Sequence, residues 1–476
     1  MAAKARRTHR RPVLEIEDSS VSRIKALELF ASNGGRDPDT QAAVLATQFI
    51  AQNKGILSCF GVSADVSYDG RSVEILFTAS TKVGALPLLS PLSGKPDYGL
   101  VVRPRFPWSG VGLMLGAMGW KVGPSLVKLP LLPQSDRKIP PWVLSTTILA
   151  RIAELLLNME RRFEFAEESC QAPRGTVFWS RYATQKMPSA RFLDIPCRFP
   201  DLRDDRQLLG AIHYTLRKQH TSLEGQRHSG QVVLQLLDLC QALLAKVNRV
   251  APSWPTKTVV GSWYSKPFRA DVFRDGLQAM EWTVDERGLA GTGDLQGLPW
   301  IMPMESFFEA WVETIVAQLS RRIGGTLRAA RKRETISPIR WDPPYSGSQR
   351  YLVPDLVLER EDEFIVFDAK YKGHWEDINW DKWSNTSESI RDHHRVDMLQ
   401  VLAYSTLSDA KKITCCLVYP CRDHTMESLR KRGRTMHSAY VGLGSRRVRL
   451  LLVAVPMNSS LEDTLATMTQ AFQMAE

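Results

Sequence analysis

YLVPDLVLEREDEFIVFDAKYK, residues 351–372, carries more charge than a buried segment tolerates without a reason. Its apolar run Phe364–Phe367 leads straight into Asp368, and Lys370 follows two places on. A short apolar run bounded by charged turns reads as a buried strand. Isolated charges in a core are costly, so they should be paired, neutralised, or hold something such as a metal ion. Residues i and i+2 of a strand project from one face, so the Lys370 ammonium points the same way as the Asp368 carboxylate. Upstream, YLVPDLVLE reads as the first strand of a hairpin closed by the turn REDE, and Asp355 lies in it. Adjacent antiparallel strands can bring both carboxylates to one place. Two hard oxygen ligands, completed by water and a phosphate oxygen, suit Mg²⁺, or Mn²⁺ in its stead. The expected chemistry is metal-assisted hydrolysis, in which Lys370 orients a water, lowers its pKa or neutralises charge building on phosphorus.

The flanks agree with that site. MESFFEAWVETIVAQLSRRI (304–323) has Phe308, Trp311, Val312, Ile315 and Leu319 on one helical face, and Glu305, Glu309 and Glu313 at i, i+4 spacing. HHRVDMLQVLAYSTL (393–407) reads as a helix carrying Gln400 and Tyr404. KITCCLVYP and RRVRLLLVAVP read as strands, and a short helix closes the chain. The expected order is helix, two strands, helix, two strands, helix, an α/β arrangement.

Pro354-Asp355 followed by Asp368-Ala369-Lys370 resembles the PD-(D/E)XK nuclease superfamily. The Q-x-x-x-Y pair Gln400 and Tyr404 is similar to that of its RecB-like branch. PMESFFEAWV, VPDLVLE, FDAKYK and VDMLQVLAYS together resemble the McrC-like nuclease subunits of McrBC-type, modification-dependent restriction systems. APRGTVFW, IPCRFPDLRDD and YGLVVRPRF extend the likeness upstream. The resemblance implies a C-terminal restriction-endonuclease-like mixed sheet flanked by helices, preceded by a β-rich and helical N-terminal half. It implies Asp355 and Asp368 as metal ligands, the Ala369 carbonyl as a further oxygen, and Lys370 as catalytic lysine. Glu309 would hold a water on the metal, with Asp397, Gln400 and Tyr404 in support. For Glu305 and Glu313 a solvated helix face is expected, and His393 and His394 are given no role.

The rest of the chain sets bounds. At 476 residues it exceeds one ordinary core. A net charge of +11 favours a polyanionic partner, most simply nucleic acid. Arg328, Arg331, Lys332 and Arg333 in RRIGGTLRAARKRE, and RKRGR at 430–434, are the candidate phosphate contacts. Seven scattered cysteines suit a reducing cytoplasm, which the resemblance implies is prokaryotic, and Cys416, Cys421 and His424 fit no common zinc spacing. No run approaches the roughly 18 apolar residues of a membrane span. Expected segments are a basic disordered arm (1–14), an N-terminal region with a β-rich unit (15–140), a helical and mixed middle (141–290) and the nuclease domain (291–476). Within these, 19–54 reads as mainly helical, 56–104 as β-rich, 129–142 as a linker, 143–168 as helical and 288–299 as a boundary. DINWDKWSNTSESI (377–390) receives no role. No G-x-x-x-x-G-K-[ST] occurs, so P-loop nucleotide hydrolysis is not expected. The resemblance therefore implies a separate AAA+ GTPase or ATPase, docked by the N-terminal half, in defence against foreign or modified DNA. A stand-alone repair or processing nuclease, and an adaptor that regulates an AAA+ partner, are the alternatives.

Overall fold

A computed structural model describes residues 13–30, 38–69, 72–127, 129–130, 140, 142–159, 162–203, 205–264, 270–284, 297–376, 388–443 and 446–473. The expected linker at 129–142, the boundary at 288–299 and the stretch at 377–390 lie mostly outside these residues. The chain divides into two compact units. One comprises Met1–Leu144, Gly230–Val232 and Gly288–Glu476; the other comprises Ser145–Ser229 and Val233–Arg287. The first takes in both the N-terminal region and the domain expected at 291–476.

In the C-terminal part, Leu356–Glu359 and Glu363–Ala369 form the expected hairpin, with Leu356 opposite Phe367. Glu363–Ala369 then pairs in parallel with Lys412–Cys421, which pairs in parallel with Arg446–Pro456. Such inner parallel strands are covered on both faces, which is why they read as nearly unbroken apolar runs. Thr326–Ala329 and Met436–Leu443 close the six-stranded sheet as antiparallel edges. On one face Val366, Leu417 and Cys415 pack with Val401 and Tyr404, and with Met426 of the helix Asp423–Lys431. On the other, Phe367 meets Phe472 of the closing helix at 5.6 Å. The α/β expectation holds as a mixed sheet with helices on both faces. Both edge strands and the helix Asp423–Lys431 are additions to the expected order: TLRA and MHSAYVGL have no clean alternation to announce them.

The β-rich unit appears as Val62–Asp69, Ser72–Ala79, Lys82–Leu88 and Tyr98–Arg103. The helical reading of 19–54 needs correction: Val21–Lys25 is a strand, paired antiparallel with Ser72–Ala79, and helix is confined to Ala26–Phe30 and Pro38–Phe60. Pairing with a neighbour overrides local propensity there. Val13 and Leu14, expected in a disordered arm, begin a strand parallel to Tyr98–Arg103; the rest of that arm is outside the described residues. A five-stranded sheet is completed from far along the chain. Trp300–Pro303 pairs with Lys82–Leu88, and the helix Met304–Ile323 begins directly from it, the Met304 N–H donating to Thr81 O at 2.9 Å.

Gly84 makes that seam possible. Its φ is +147°, and a Cβ there would sit 2.1 Å from Trp300 O. Gly84→Ala should therefore destabilise the protein by roughly 2–4 kcal/mol, read as a lowered urea midpoint. An unchanged midpoint would mean that the two strands can part without cost.

The second unit carries the helices Arg206–Glu224, Lys257–Tyr264 and Ala270–Val284, and all but the first two residues of Gln231–Val247. Asp205 caps the first, accepting from the Leu208 N–H at 3.0 Å. The helical reading of 143–168 stops early: Trp142–Leu157 is helix, but Arg162–Cys170 is a strand paired with Ile195–Arg203. Phe163, Phe165 and Ala166 of RFEFAEESC suit a strand bound to a partner 30-odd residues away, a contact no local window reveals. Among the described residues, no helix is long and apolar enough to cross a membrane.

Candidate active site

One further step of the hairpin register, beyond Leu356 opposite Phe367, sets Asp355 against Asp368. Asp355 is not in the strand, as expected from sequence, but in the bend just before it. Pro354 has no N–H to give the ladder, and the carbonyls around it are engaged elsewhere. Val353 O accepts from the Tyr404 hydroxyl at 3.2 Å, Pro354 O from Thr335 Oγ1 at 2.7 Å, and Asp355 O from the Ala330 N–H at 2.9 Å. The Asp355 carboxylate in turn accepts from the Ala369 N–H at 2.8 Å. Thr335 is buried, and the sequence reading missed it.

Asp368 is 1% exposed, and its Oδ2 lies 2.8 Å from Lys370 Nζ. Burial, then the charge of Asp368, pushes the Asp355 carboxyl well above the usual range. Burial also raises Asp368, against the lowering effect of Lys370. Burial alone would lower the Lys370 pKa, but the adjacent Asp368 carboxylate raises it, so the lysine is held as a cation. Two carboxyl groups with one lysine leave the site short of positive charge, which a divalent cation would supply.

Lys370 Nζ also donates to Gln400 Oε1 at 3.1 Å, Gln400 Nε2 to the Tyr404 hydroxyl at 2.9 Å, and that hydroxyl to Val353 O. The Q-x-x-x-Y pair thus links the lysine to the backbone that carries Asp355. Tyr404→Phe should break that link and slow any chemistry at the site by about tenfold with little loss of fold. Single-turnover rates would check this, and an unchanged rate would make the relay dispensable. Asp397, expected in support, is buried one step further out. It accepts from Lys372 Nζ at 2.6 Å and from the Tyr419 hydroxyl at 3.0 Å. Lys372 lies in the bend past the strand's end at Ala369, so strand periodicity carries no signal for it.

Glu309 is half-buried, and burial, with Glu305 nearby, raises its carboxyl; Lys370 and Asp368 also act on it. The solvated face expected for Glu305 and Glu313 holds only for Glu305. Glu313 is 6% exposed and pairs with Lys121 at 3.0 Å and Arg331 at 3.5 Å. Its Lys121 partner is far along the chain and invisible to local pattern. Of the basic candidates, Arg331 also donates to Ser306 O and Lys121 O, and Arg328 pairs with Glu359. Lys332 and Arg333 are exposed. The seven cysteines are all free, and Cys416 and Cys421 are buried within the sheet. Among the described residues, no three His, Cys, Asp or Glu side chains gather to hold a metal by themselves. Asp355 and Asp368 are two carboxylates that could share a hard cation with water and phosphate.

A family model described as McrBC 5-methylcytosine restriction system component matches residues 134–420. A search of curated proteins finds no match. Among solved structures, a chain from an assembly of Thermococcus gammatolerans McrB AAA+ hexamers with bound McrC is similar at 14% identity, over 98% of this chain and 100% of that one, with a TM-score of 0.42. A chain of the Thermococcus gammatolerans McrBC complex is similar at 14% identity, over 67% of this chain and 90% of that one, with a TM-score of 0.26.

Proposed function

The chain belongs to the McrBC family of restriction-system components, and from that premise we propose that it is the DNA-cutting subunit of a modification-dependent system. The observation that carries the reading is the meeting of Asp355, Asp368 and Lys370 at one end of a hairpin, with Gln400 and Tyr404 behind the lysine. In this reading the C-terminal sheet is a PD-(D/E)XK nuclease domain. Asp355 and Asp368, with the Ala369 carbonyl, would hold Mg²⁺ or Mn²⁺; when bound, the ion supplies Lewis acidity and a water that ionises near neutral pH. Lys370, kept cationic by Asp368, faces charge that builds on the scissile phosphate. Glu309, half-buried and raised, takes or holds the proton of the attacking water. Gln400 and Tyr404 keep the lysine aimed. Lys332 and Arg333 would meet DNA phosphates; Arg328 and Arg331 would do so by exchanging their carboxylate partners.

The chain has no P-loop of its own, so the work of translocation or switching falls to a separate AAA+ GTPase or ATPase. The test is plasmid cleavage, methylated and unmodified, with Mg²⁺ or Mn²⁺, with and without a McrB-type AAA+ protein. Cutting that requires both the partner and Asp368 supports the proposal. Cutting by this chain alone would make it a stand-alone nuclease. Stimulated nucleotide turnover without cutting would make it an adaptor.

A further inference from the structure

Tyr371 follows Lys370 directly, two residues past the end of the strand Glu363–Ala369, and is buried. It meets side chains from two other elements. From the helix side comes Phe308, the neighbour of Glu309, with ring centroids 6.2 Å apart. From the N-terminal sheet comes the segment after Tyr98–Arg103. The Arg105 guanidinium lies 4.5 Å from the Tyr371 ring centre and 5.1 Å from that of Phe106. Phe106 itself meets Tyr371 at 5.9 Å. Asp18, 1% exposed, anchors the segment: its N–H donates to Arg103 O at 2.9 Å, and its Oδ1 accepts from the Arg105 N–H at 2.5 Å. The Arg105 charge offsets part of the burial that would otherwise raise Asp18.

We propose that Arg105 is a positioning residue for the cleavage site: stacked on Tyr371 and held by Asp18, it fixes the backbone of Lys370 and the helix of Glu309 from the N-terminal sheet. The inference rests on the nuclease reading above. Its physical ground is that a buried carboxylate such as Asp18 costs stability that apolar side chains filling the same space would not. A planar guanidinium on an aromatic ring does fix orientation. Tyr371 and Phe308 are each one residue from a group of the site, so a shift of this stack moves both at once. It also gives the N-terminal half a mechanical route to the chemistry.

The experiment measures plasmid cleavage by the full chain with its AAA+ partner and Mg²⁺. It compares wild type with Asp18→Asn/Arg105→Leu, Tyr371→Leu, Tyr371→Phe and, as control, Asp368→Ala. The double variant removes the stack without leaving a buried carboxylate unpaired. Its kcat should fall about tenfold or more, with KM for DNA nearly unchanged. Tyr371→Leu should fall likewise, while Tyr371→Phe, which keeps the ring, should stay within about threefold of wild type. Should the double variant fail to fold, the two Tyr371 variants carry the same comparison without touching the charges. If cutting is lost in Asp368→Ala, yet Tyr371→Leu and the folded double variant cut like wild type, the positioning role is overturned alone. It is also overturned if kcat losses simply track lowered melting temperature in every variant, Tyr371→Phe included. If wild type never cuts, or Asp368→Ala cuts equally well, the nuclease reading falls and takes this inference with it.

Discussion

Asp368→Asn and Lys370→Ala should each slow DNA cleavage by about a hundredfold or more, for reasons that a metal titration separates. Asp368 is one of the two candidate carboxylate ligands, and its loss leaves Asp355 as the remaining charged donor. Mn²⁺ affinity should fall with the rate. Lys370 is different. Its Nζ lies 2.8 Å from Asp368, so the lysine competes electrostatically with any cation bound there. Without it both carboxylates remain and the local field is more negative. At pH 8, where protons compete least, Lys370→Ala should bind Mn²⁺ as tightly as wild type or more tightly, and still fail to cut. Calorimetry with Mn²⁺ beside a plasmid time course reads both quantities. Retained binding without cutting assigns the lysine to the chemistry. Cutting at the wild-type rate would reduce the Asp368–Lys370 contact to an ordinary ion pair.

Period-two alternation places Asp368 and Lys370 on one face, and it carries one residue past the strand's end at Ala369 because the Lys370 N–H still donates to Val418 O. Gln400 and Tyr404 were legible for the parallel reason: their spacing of four is one helical turn. The pattern reads Asp355 as part of the strand, but it sits just before it, because Pro354 interrupts the ladder and the segment is held by Thr335, Ala330 and Tyr404 instead. Those partners lie on other elements, and no local window contains them. The same limit hid the Glu313 ion pairs and the pairing of Trp300–Pro303 with Lys82–Leu88. Asp397 was read as a supporting group, yet its partners Lys372 and Tyr419 emerge only once helix and sheet are packed. Elements came from pattern; the joins between them came from contacts between residues far apart in the chain.

Asp355→Asn should make the metal-free protein more stable at pH 8, although it removes a candidate ligand. The folded chain holds the Asp355 proton up to about 7, because burial and the charge of Asp368 oppose ionisation. An unfolded aspartate releases it near pH 4. Between those values the folded state binds more protons than the unfolded one, so this group's contribution to stability falls as pH rises. The loss begins near the unfolded pKa, is complete just above the folded one, and amounts on the order of a few kcal/mol. His374 works in the opposite sense. Burial, with His394 and His437 nearby, lowers its pKa to about 3, so its contribution rises with pH up to the ordinary histidine range. The overlap makes a single wild-type curve ambiguous. The difference between Asp355→Asn and wild type cancels the histidine. In EDTA the two proteins should be equally stable near pH 4, and the variant should gain through pH 7 in urea unfolding. Saturating Mg²⁺ should shrink or reverse that gap, because the cation binds the ionised carboxylate that the variant lacks. A variant no more stable than wild type at any pH in EDTA would mean that Asp355 ionises freely in the fold, leaving no unrelieved charge at the site for a cation to satisfy.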